Sequence, residues 1–148
     1  MAPAPEPGTL PLTTALESPA QVDHQSTRLM LATAAFFLER HLEEGIADLG
    51  ITPIGAFFLG LLADGPQAEI HDLAQQGLIS NDVTTRETDR LVSLGCAEPH
   101  SSGGLVITNH GRTVLTKARQ VEDELLRSVG HSPGLRHVLQ TLIDQLRQ

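Results

Sequence analysis

The chain has 148 residues, a hydrophobic fraction of 40% and a formal net charge of −8. This length predicts one domain with a hydrophobic core of its own. A single cysteine excludes an internal disulfide and zinc sites built from cysteine pairs, and the acidic surplus is unfavourable for nonspecific attraction to DNA.

The first 22 residues differ in composition from the rest of the chain. They hold five of the nine prolines, at positions 3, 5, 7, 11 and 19, and neither Lys nor Arg. We predict a disordered, Pro-rich arm over residues 1–22. The absence of basic residues at its start is unlike a signal peptide, and the longest apolar run, residues 29–38, is too short to span a bilayer. A soluble, cytoplasmic protein with no membrane partner is therefore expected.

A long amphipathic helix is predicted from about Asp23 to Asp48, ending at Gly50. Apolar residues recur along it at three- and four-residue spacings, and the stripe comprises Leu31, Ala34, Ala35, Leu38, Leu42 and Ile46. Because Phe36 and Phe37 widen this stripe beyond what one neighbour could cover, a second subunit is expected to cover the rest. Residues 23–50 are interpreted as an N-terminal dimerisation helix with Leu31 and Leu38 at the interface.

Two shorter helices follow. Thr52 and Pro53 form a typical helix start, with Thr as N-cap and Pro at the first helical position. The first helix is predicted to run to about Ala63 and to bury Ile54, Phe57, Phe58, Leu61 and Leu62. A second helix is predicted over residues 68–76, with Gly77 as its C-cap.

The stretch Ser80–Gly95, SNDVTTRETDRLVSLG, is predicted to be the recognition helix of a helix-turn-helix. Ser80 and Asn81 are good capping residues, and Val83 and Leu91 can face a common core. The residues expected to face outward are Thr84, Thr85, Arg86 and Arg90. Hydroxyl and guanidinium groups suit contacts with base edges and phosphates, although an ordinary solvated helix has the same composition.

The segment after Gly95 has the pattern of a β-hairpin. Residues 96–98 and 105–108 are predicted strands, and the turn PHSSGG over residues 99–104 joins them. A hairpin directly after a helix-turn-helix is a wing, and its tip carries His100, Ser101 and Ser102.

Two helices complete the chain. Thr108 or Asn109 is expected to cap a helix of about twenty residues that Gly130 ends, and Ser132-Pro133 begins the last helix. This last helix has an apolar stripe that requires a partner, for which a dimer seam is the simplest explanation. The residues predicted at the seam are Leu135, Val138, Leu139, Leu142 and Ile143.

The predicted fold is mainly α with a small β-hairpin wing. A winged helix-turn-helix over residues 51–110 is flanked by the N-terminal helix and by C-terminal dimerisation helices over residues 111–148.

This order of elements resembles the MarR family of bacterial winged-helix regulators. The matching segments are GITPIGAFFLGLLADG, IHDLAQQGLISNDVTTRETDRLVSLG and VITNHGRTVL, and the flanking long helices match as well. The resemblance implies a homodimeric transcriptional repressor that binds a palindromic operator in double-stranded DNA. It further implies a small amphipathic, often aromatic, effector in a cleft between the dimer helices and the winged domain. It assigns DNA contact to Ser80, Asn81, Thr84, Thr85, Arg86, Arg90 and the wing residues His100, Ser101 and Ser102.

Three features depart from the family pattern. The wing is short and lacks the family's Asp-x-Arg motif, and Glu87 stands where the recognition helix usually has an apolar residue. Residues 52–117 hold four basic and seven acidic side chains, a net charge of 4 − 7 = −3. These features leave open an alternative, a winged-helix homodimer that has lost DNA binding and acts as a protein- or ligand-binding module.

Other chemistry is weakly indicated. His41 and Glu44 are three residues apart on a helix face, but a surface pair is the preferred interpretation over a metal site, since no HxxxH or HExxH motif occurs. Cys96 fits a buried structural thiol better than a redox sensor. No nucleophile motif or phosphate loop is present, so no enzyme activity and no cofactor are expected.

Overall fold

The computed structural model describes residues 19–130 and 133–148, with side chains from residue 26 onward. The described residues form six α-helices and one antiparallel hairpin. In chain order these are α1 (Pro19–Ile46) with a 3₁₀ turn (Ala47–Leu49), α2 (Pro53–Asp64), α3 (Ile70–Gly77), α4 (Asn81–Ser93), β1 (Ala97–Pro99), β2 (Leu105–Ile107), α5 (Asn109–Ser128) and α6 (Pro133–Leu146). The mainly helical winged fold predicted from the sequence is confirmed.

Helix α2 lies at the centre of the packing. It contacts α3, α4, α5 and β2, and its Phe58 and Leu59 are fully buried. The core comprises Ile46, Ile51, Phe58, Leu59, Leu62, Leu73, Leu91, Cys96, Ala97, Leu105, Val114, Leu115 and Ala118. All these residues belong to the compact unit formed by residues 38–148, whereas the chain through Phe37 forms a separate unit.

The N-terminal helix is longer than predicted. It begins at Pro19, so residues 19–22 are helical and the predicted boundary of the arm at residue 22 is wrong; residues 1–18 lie outside the described part. Proline is tolerated in the first turn of a helix because a backbone N–H at that position would have no partner within the helix. The α-helix itself ends at Ile46, before the predicted end at about Asp48. A 3₁₀ turn follows it, and Gly50, with φ of 75°, is the left-handed cap of that turn.

Helix α2 confirms the predicted cap but not the predicted burial of every apolar residue. The Gly55 N–H donates to the Thr52 hydroxyl over 3.0 Å, and Pro53 opens the helix. Phe58 and Leu62 are buried, whereas Phe57 remains 44% exposed. Phe57 lies on the face of α2 that lines a cavity, and a periodic pattern does not distinguish a cavity wall from a core.

The start and end of α3 differ from the prediction. Ala68 lies outside the helix and pairs with Leu105 through two backbone hydrogen bonds of 2.8 and 3.1 Å. The left-handed C-cap is Leu78, with φ of 53°, rather than Gly77, which is the last helical residue. A Cβ on Gly77 would lie 3.0 Å from Ile79 Cδ1 and 3.3 Å from the Phe57 ring. Close packing against these side chains is therefore the reason for a glycine here.

The hairpin confirms the predicted wing. Its register pairs Ala97 with Ile107 and Pro99 with Leu105. The bridge from Leu105 to Ala68 ties the hairpin to the segment before α3. Gly104, with φ of 75°, lies so close to this segment that a Cβ would be 2.9 Å from the Ala68 carbonyl oxygen.

The two last helices agree with their predicted extents. Thr108 caps α5 by accepting from the Gly111 N–H over 3.0 Å, and Gly130 follows the helix in the left-handed conformation. The predicted cap Ser132 lies outside the described residues, but α6 begins at Pro133 as expected. Within the described part of the chain, no single helix is both long and apolar enough to cross a membrane.

Candidate nucleic-acid interface

The outer face of α4 carries balanced charge. Arg86 and Arg90 are exposed, as are Asp82 and Asp89, while Thr85 is half-buried. Arginine side chains suit both phosphate and guanine contacts. The two carboxylates offset much of the attraction to phosphate, so any binding through this face depends on local contacts more than on net charge.

Thr84 does not face outward, and this prediction is wrong. Its side chain is fully buried, and its hydroxyl donates to the Ser80 carbonyl oxygen over 2.9 Å. Thr88, one turn later, is 1% exposed and donates to the Thr84 and Thr85 carbonyl oxygens. Threonine can lie on the inner face of a helix because its hydroxyl bonds back to the preceding turn. The structure therefore removes Thr84 from the candidate DNA contacts.

The start of α4 is built as predicted. The Ser80 hydroxyl accepts from the Val83 N–H over 3.3 Å, and Asn81 is the first helical residue and is exposed. A hydroxyl that accepts at a cap keeps its own proton as a donor. Ser80 and Asn81 can therefore offer polar groups at the helix N-terminus, where the helix dipole favours a phosphate.

Glu87 is half-buried, and its carboxylate contacts the residue that caps α2. Its Oε2 accepts from the Thr52 hydroxyl over 2.6 Å, and the pair is partly buried. The same Thr52 oxygen caps α2 by accepting from Gly55. Glu87 therefore contributes less negative charge to the outer face of α4 than its place in the sequence indicated.

The wing tip is organised by polar side chains. His100 Nδ1 lies 2.6 Å from the Ser102 hydroxyl oxygen, and the Ser102 N–H donates to the same nitrogen over 3.2 Å. The Ser102 hydroxyl also reaches Oε1 of Gln67, over 3.0 Å. Ser101 is exposed beside them. These contacts hold the His100 ring against Ser102, and the tip is built from polar side chains, with neither Arg nor Lys in the turn over residues 99–104.

A cavity of about 640 Å³ lies beside α2. Its apolar wall includes Leu42, Phe57, Leu61 and Leu115. The charged lining residues are Glu39, Asp64, Arg119, Glu122 and Arg147. A methyl group at Gly60 would lie 3.6 Å from Arg119 Nη2, so this guanidinium lies over α2. The volume is that of a typical small-molecule site.

The predicted dimer residues leave large apolar surface exposed. No residue of α6 is buried, and Val138 is 62% exposed, with Leu135 and Ile143 also exposed. Leu139 and Leu142 are half-buried. In the separate N-terminal unit, Leu31 and its neighbours Leu29, Met30, Phe36 and Phe37 are exposed, whereas Leu38, at the start of the larger unit, is half-buried.

The structure disfavours a redox role for Cys96 and a metal site at His41 and Glu44. Cys96 is 1% exposed, and its burial raises the pKa of the thiol, which disfavours the reactive thiolate. Glu44 lies 3.2 Å from Arg40 Nε and 3.7 Å from His41 Nδ1, on an exposed helix face. Among the described residues, no group of three or more possible ligands is placed to hold a metal ion.

Three contributors to these sites were missed by the sequence analysis. In the sequence pattern Glu87 is only an unfavourable charge, and no local signal marks Gln67 or Arg119. Gln67 lies 35 residues before Ser102, and Glu87 lies 35 residues after Thr52. The identity of Thr52 as a cap was the one available signal, since a capping hydroxyl still has a proton to donate.

Comparisons with solved structures agree with this architecture, whereas no family sequence model and no curated protein matches the chain. A MarR family transcriptional regulator from Streptomyces coelicolor has a TM-score of 0.72 at 17% identity, covering 83% of this chain and 91% of that one. The regulator MosR from M. tuberculosis, in complex with DNA, has a TM-score of 0.65 at 18% identity, covering 80% and 94%.

A third similar structure contains a small molecule. The transcriptional repressor CouR, bound to p-coumaroyl-CoA, has a TM-score of 0.66 at 22% identity, covering 80% of this chain and 89% of CouR. Identities this low establish a shared fold only. The resemblance indicated by the sequence pattern is thus confirmed for the architecture, and the chain has the winged-helix fold of the MarR-family transcriptional regulators.

Proposed function

We propose that the protein is a dimeric DNA-binding transcriptional repressor of MarR type that responds to a small amphipathic ligand. The observation that carries this proposal is the exposure of Arg86 and Arg90 on α4, beside a wing, in a fold shared with DNA-bound MosR. This is the function of a cytoplasmic regulator rather than of an enzyme, and every solved relative described above is a transcription regulator.

The proposed DNA contacts come from α4 and the wing. Arg86 contacts a base edge or a phosphate, Arg90 contacts a phosphate, and Thr85 sets the register together with Ser80 and Asn81. His100, Ser101 and Ser102 contact the DNA backbone through the polar groups of the wing tip. With two arginines on α4 of each subunit, a dimer makes about four cationic contacts, and log K should fall with log salt at a slope of roughly −3 to −4.

Substitution of Arg86 tests this proposal. The probe is a duplex from the region upstream of the protein's own coding sequence, and binding is measured by fluorescence anisotropy at several salt concentrations. Arg86→Ala is expected to cost about 1–3 kcal/mol at each half-site, with weaker discrimination between sequences if Arg86 reads a base. Arg127→Ala is the matched control, because Arg127 is exposed on α5 and its Nε donates within its own helix to the Asp123 carbonyl oxygen.

The outcomes separate the possible roles. Equal affinity and equal sequence preference for Arg86→Ala and the parent would exclude Arg86 from the interface. Failure of the parent to bind this duplex at any salt concentration would instead favour the protein- or ligand-binding module.

The proposed dimer joins two chains through their first and last helices. The exposed apolar residues of α6, and separately those of the N-terminal part of α1, support this proposal, because monomeric proteins rarely leave such surfaces uncovered. Two-fold symmetry would place the two copies of α4 in successive major grooves. The operator would then be palindromic, with half-sites about one helical turn apart.

The proposed effector site is the cavity beside α2. Its apolar wall suits a flat, partly aromatic molecule, and Arg119 suits an anionic group on that molecule. The two ion pairs among the described residues both involve Glu44, so no carboxylate of that part of the chain forms an ion pair with Arg119.

An anionic fluorescent probe tests the effector site. We expect 8-anilinonaphthalene-1-sulfonate to bind the parent, and Arg119→Gln to weaken its binding roughly tenfold by removing a charged hydrogen-bond donor. Lys117→Gln removes the same charge from an exposed position of α5 outside the cavity and is expected to bind like the parent. Equal losses in both variants would mean that the probe responds to net charge and not to this cavity.

A further inference from the structure

The contact between Thr52 and Glu87 joins two helices that the proposed function assigns to different tasks. Thr52 caps α2, which lines the cavity, whereas Glu87 lies on α4 between Arg86 and Arg90 in sequence. The two residues are 35 positions apart, and the donor–acceptor distance is 2.6 Å. A hydrogen bond with an ionised acceptor in a partly buried place is stronger than a neutral one.

Helix α4 packs against α3, α2 and β1, but within the described part of the chain its buried side chains form no hydrogen bond to another helix. Thr84 and Thr88 are buried, but their hydroxyls donate to carbonyl oxygens of α4 and its cap, not to another helix. Leu91 is buried and packs in the core through apolar contacts, which are not directional. The hydrogen bond from Thr52 to Glu87, by contrast, fixes both a distance and a direction between α2 and α4.

The position of Glu87 also matches the N-terminus of α2. Its Oε2 lies 3.7 Å from the place where a Cβ of Gly55 would be, an ordinary contact distance that places the carboxylate beside the first turn of α2. The positive end of the α2 dipole stabilises a carboxylate at this place. Thr52 therefore bridges the two groups, accepting from Gly55 and donating to Glu87.

We propose that Glu87 is a positioning residue, which orients α4 on α2 through Thr52 and thereby presents Arg86 and Arg90 to DNA. The claim about DNA rests on the proposed function, whereas the claim about orientation does not. On this proposal an acidic residue in the recognition helix supports binding and does not oppose it.

Replacing Thr52 by Asp and by Asn, which are isosteric with each other, separates its two roles. Asp and Asn both cap helices well, but only Asn also carries a donor for Glu87. We expect Thr52→Asp to weaken binding of the upstream duplex about tenfold or more, and Thr52→Asn to stay within about threefold of the parent. A second variant, Thr52→Asp with Glu87→Gln, reverses donor and acceptor and is expected to recover the affinity.

Amide hydrogen exchange provides a readout that does not depend on DNA. Thr52→Asp should raise the exchange rates of α4 relative to Thr52→Asn, and the reversed pair should restore them. Equal behaviour of the Asp and Asn variants in exchange would overturn the positioning role, whether or not the parent binds DNA. A difference in exchange together with no DNA binding by the parent would support the positioning role and contradict the proposed function.

Discussion

Gly111→Ala is expected to destabilise the folded protein by at least about 3 kcal/mol, because the added methyl group has no space. It would lie 2.0 Å from the Cys96 carbonyl oxygen, 2.9 Å from the Cys96 carbonyl carbon and 2.8 Å from Ile107 Cγ1. Two of these atoms are backbone and cannot rotate away. The Cys96 oxygen also accepts from the Thr108 N–H over 3.0 Å, so the first turn of α5 and the wing would have to separate.

Thermal unfolding followed by circular dichroism measures this effect at one fixed protein concentration. A loss of this size corresponds to a decrease in Tm of roughly 10 °C for a domain of this length. Gly60→Ala is the matched control, since Gly60 is also helical and its nearest neighbour, Arg119 Nη2, would be 3.6 Å from the new methyl group. It is expected to stabilise the protein by about 0.5–1 kcal/mol. A Tm for Gly111→Ala equal to that of the parent would contradict the close approach of α5 to the Cys96 backbone.

Val138→Glu is expected to convert the proposed dimer into monomers. Val138 is 62% exposed on α6, and burying an uncompensated carboxylate there would cost about 3 kcal/mol in each subunit. A two-fold interface contains every substitution twice, so the dissociation constant should rise by about four orders of magnitude.

Sedimentation equilibrium of the intact chain measures the change. Gln145→Glu adds the same charge to α6 at an exposed polar position, and it should leave the dimer intact. Loss of the dimer in both variants would indicate a general effect of charge. A Val138→Glu protein that remains as dimeric as the parent would exclude this face of α6 from the interface.

Local signals in the sequence predicted the elements well where a short segment determines its own structure. Thr52 and Thr108 start helices because each hydroxyl accepts from the backbone N–H three residues later. Gly50 and Gly130 follow helical segments because glycine adopts positive φ without strain. The hairpin followed from strand-like segments on either side of a turn rich in glycine and serine. All of these features depend on contacts within a few residues, which a sequence pattern records directly.

Burial was harder to predict for residues whose side chains are stable both in the core and at a solvent-accessible surface. Thr84 was expected on the outer face of α4, yet it is buried because its hydroxyl bonds to the Ser80 carbonyl oxygen. Phe57 was expected in the core and instead lines a cavity. Polarity indicates the cost of burying a side chain without a partner, but it does not reveal whether the fold supplies that partner.

The order of the helices, the caps at Thr52, Ser80 and Thr108, the wing and the resemblance to winged-helix regulators were all predictable from the sequence, because periodicity and N-terminal capping are local properties. Three features required the folded coordinates: the hydrogen bond from Thr52 to Glu87, the support of the wing by Gln67 through Ser102, and the position of Arg119 beside a cavity. Each of these contacts joins residues that are distant in the chain, and their meeting depends on how the helices pack. Glu87 is unfavourable for DNA binding when charges are counted along the sequence, whereas in the folded protein its carboxylate accepts a hydrogen bond from Thr52.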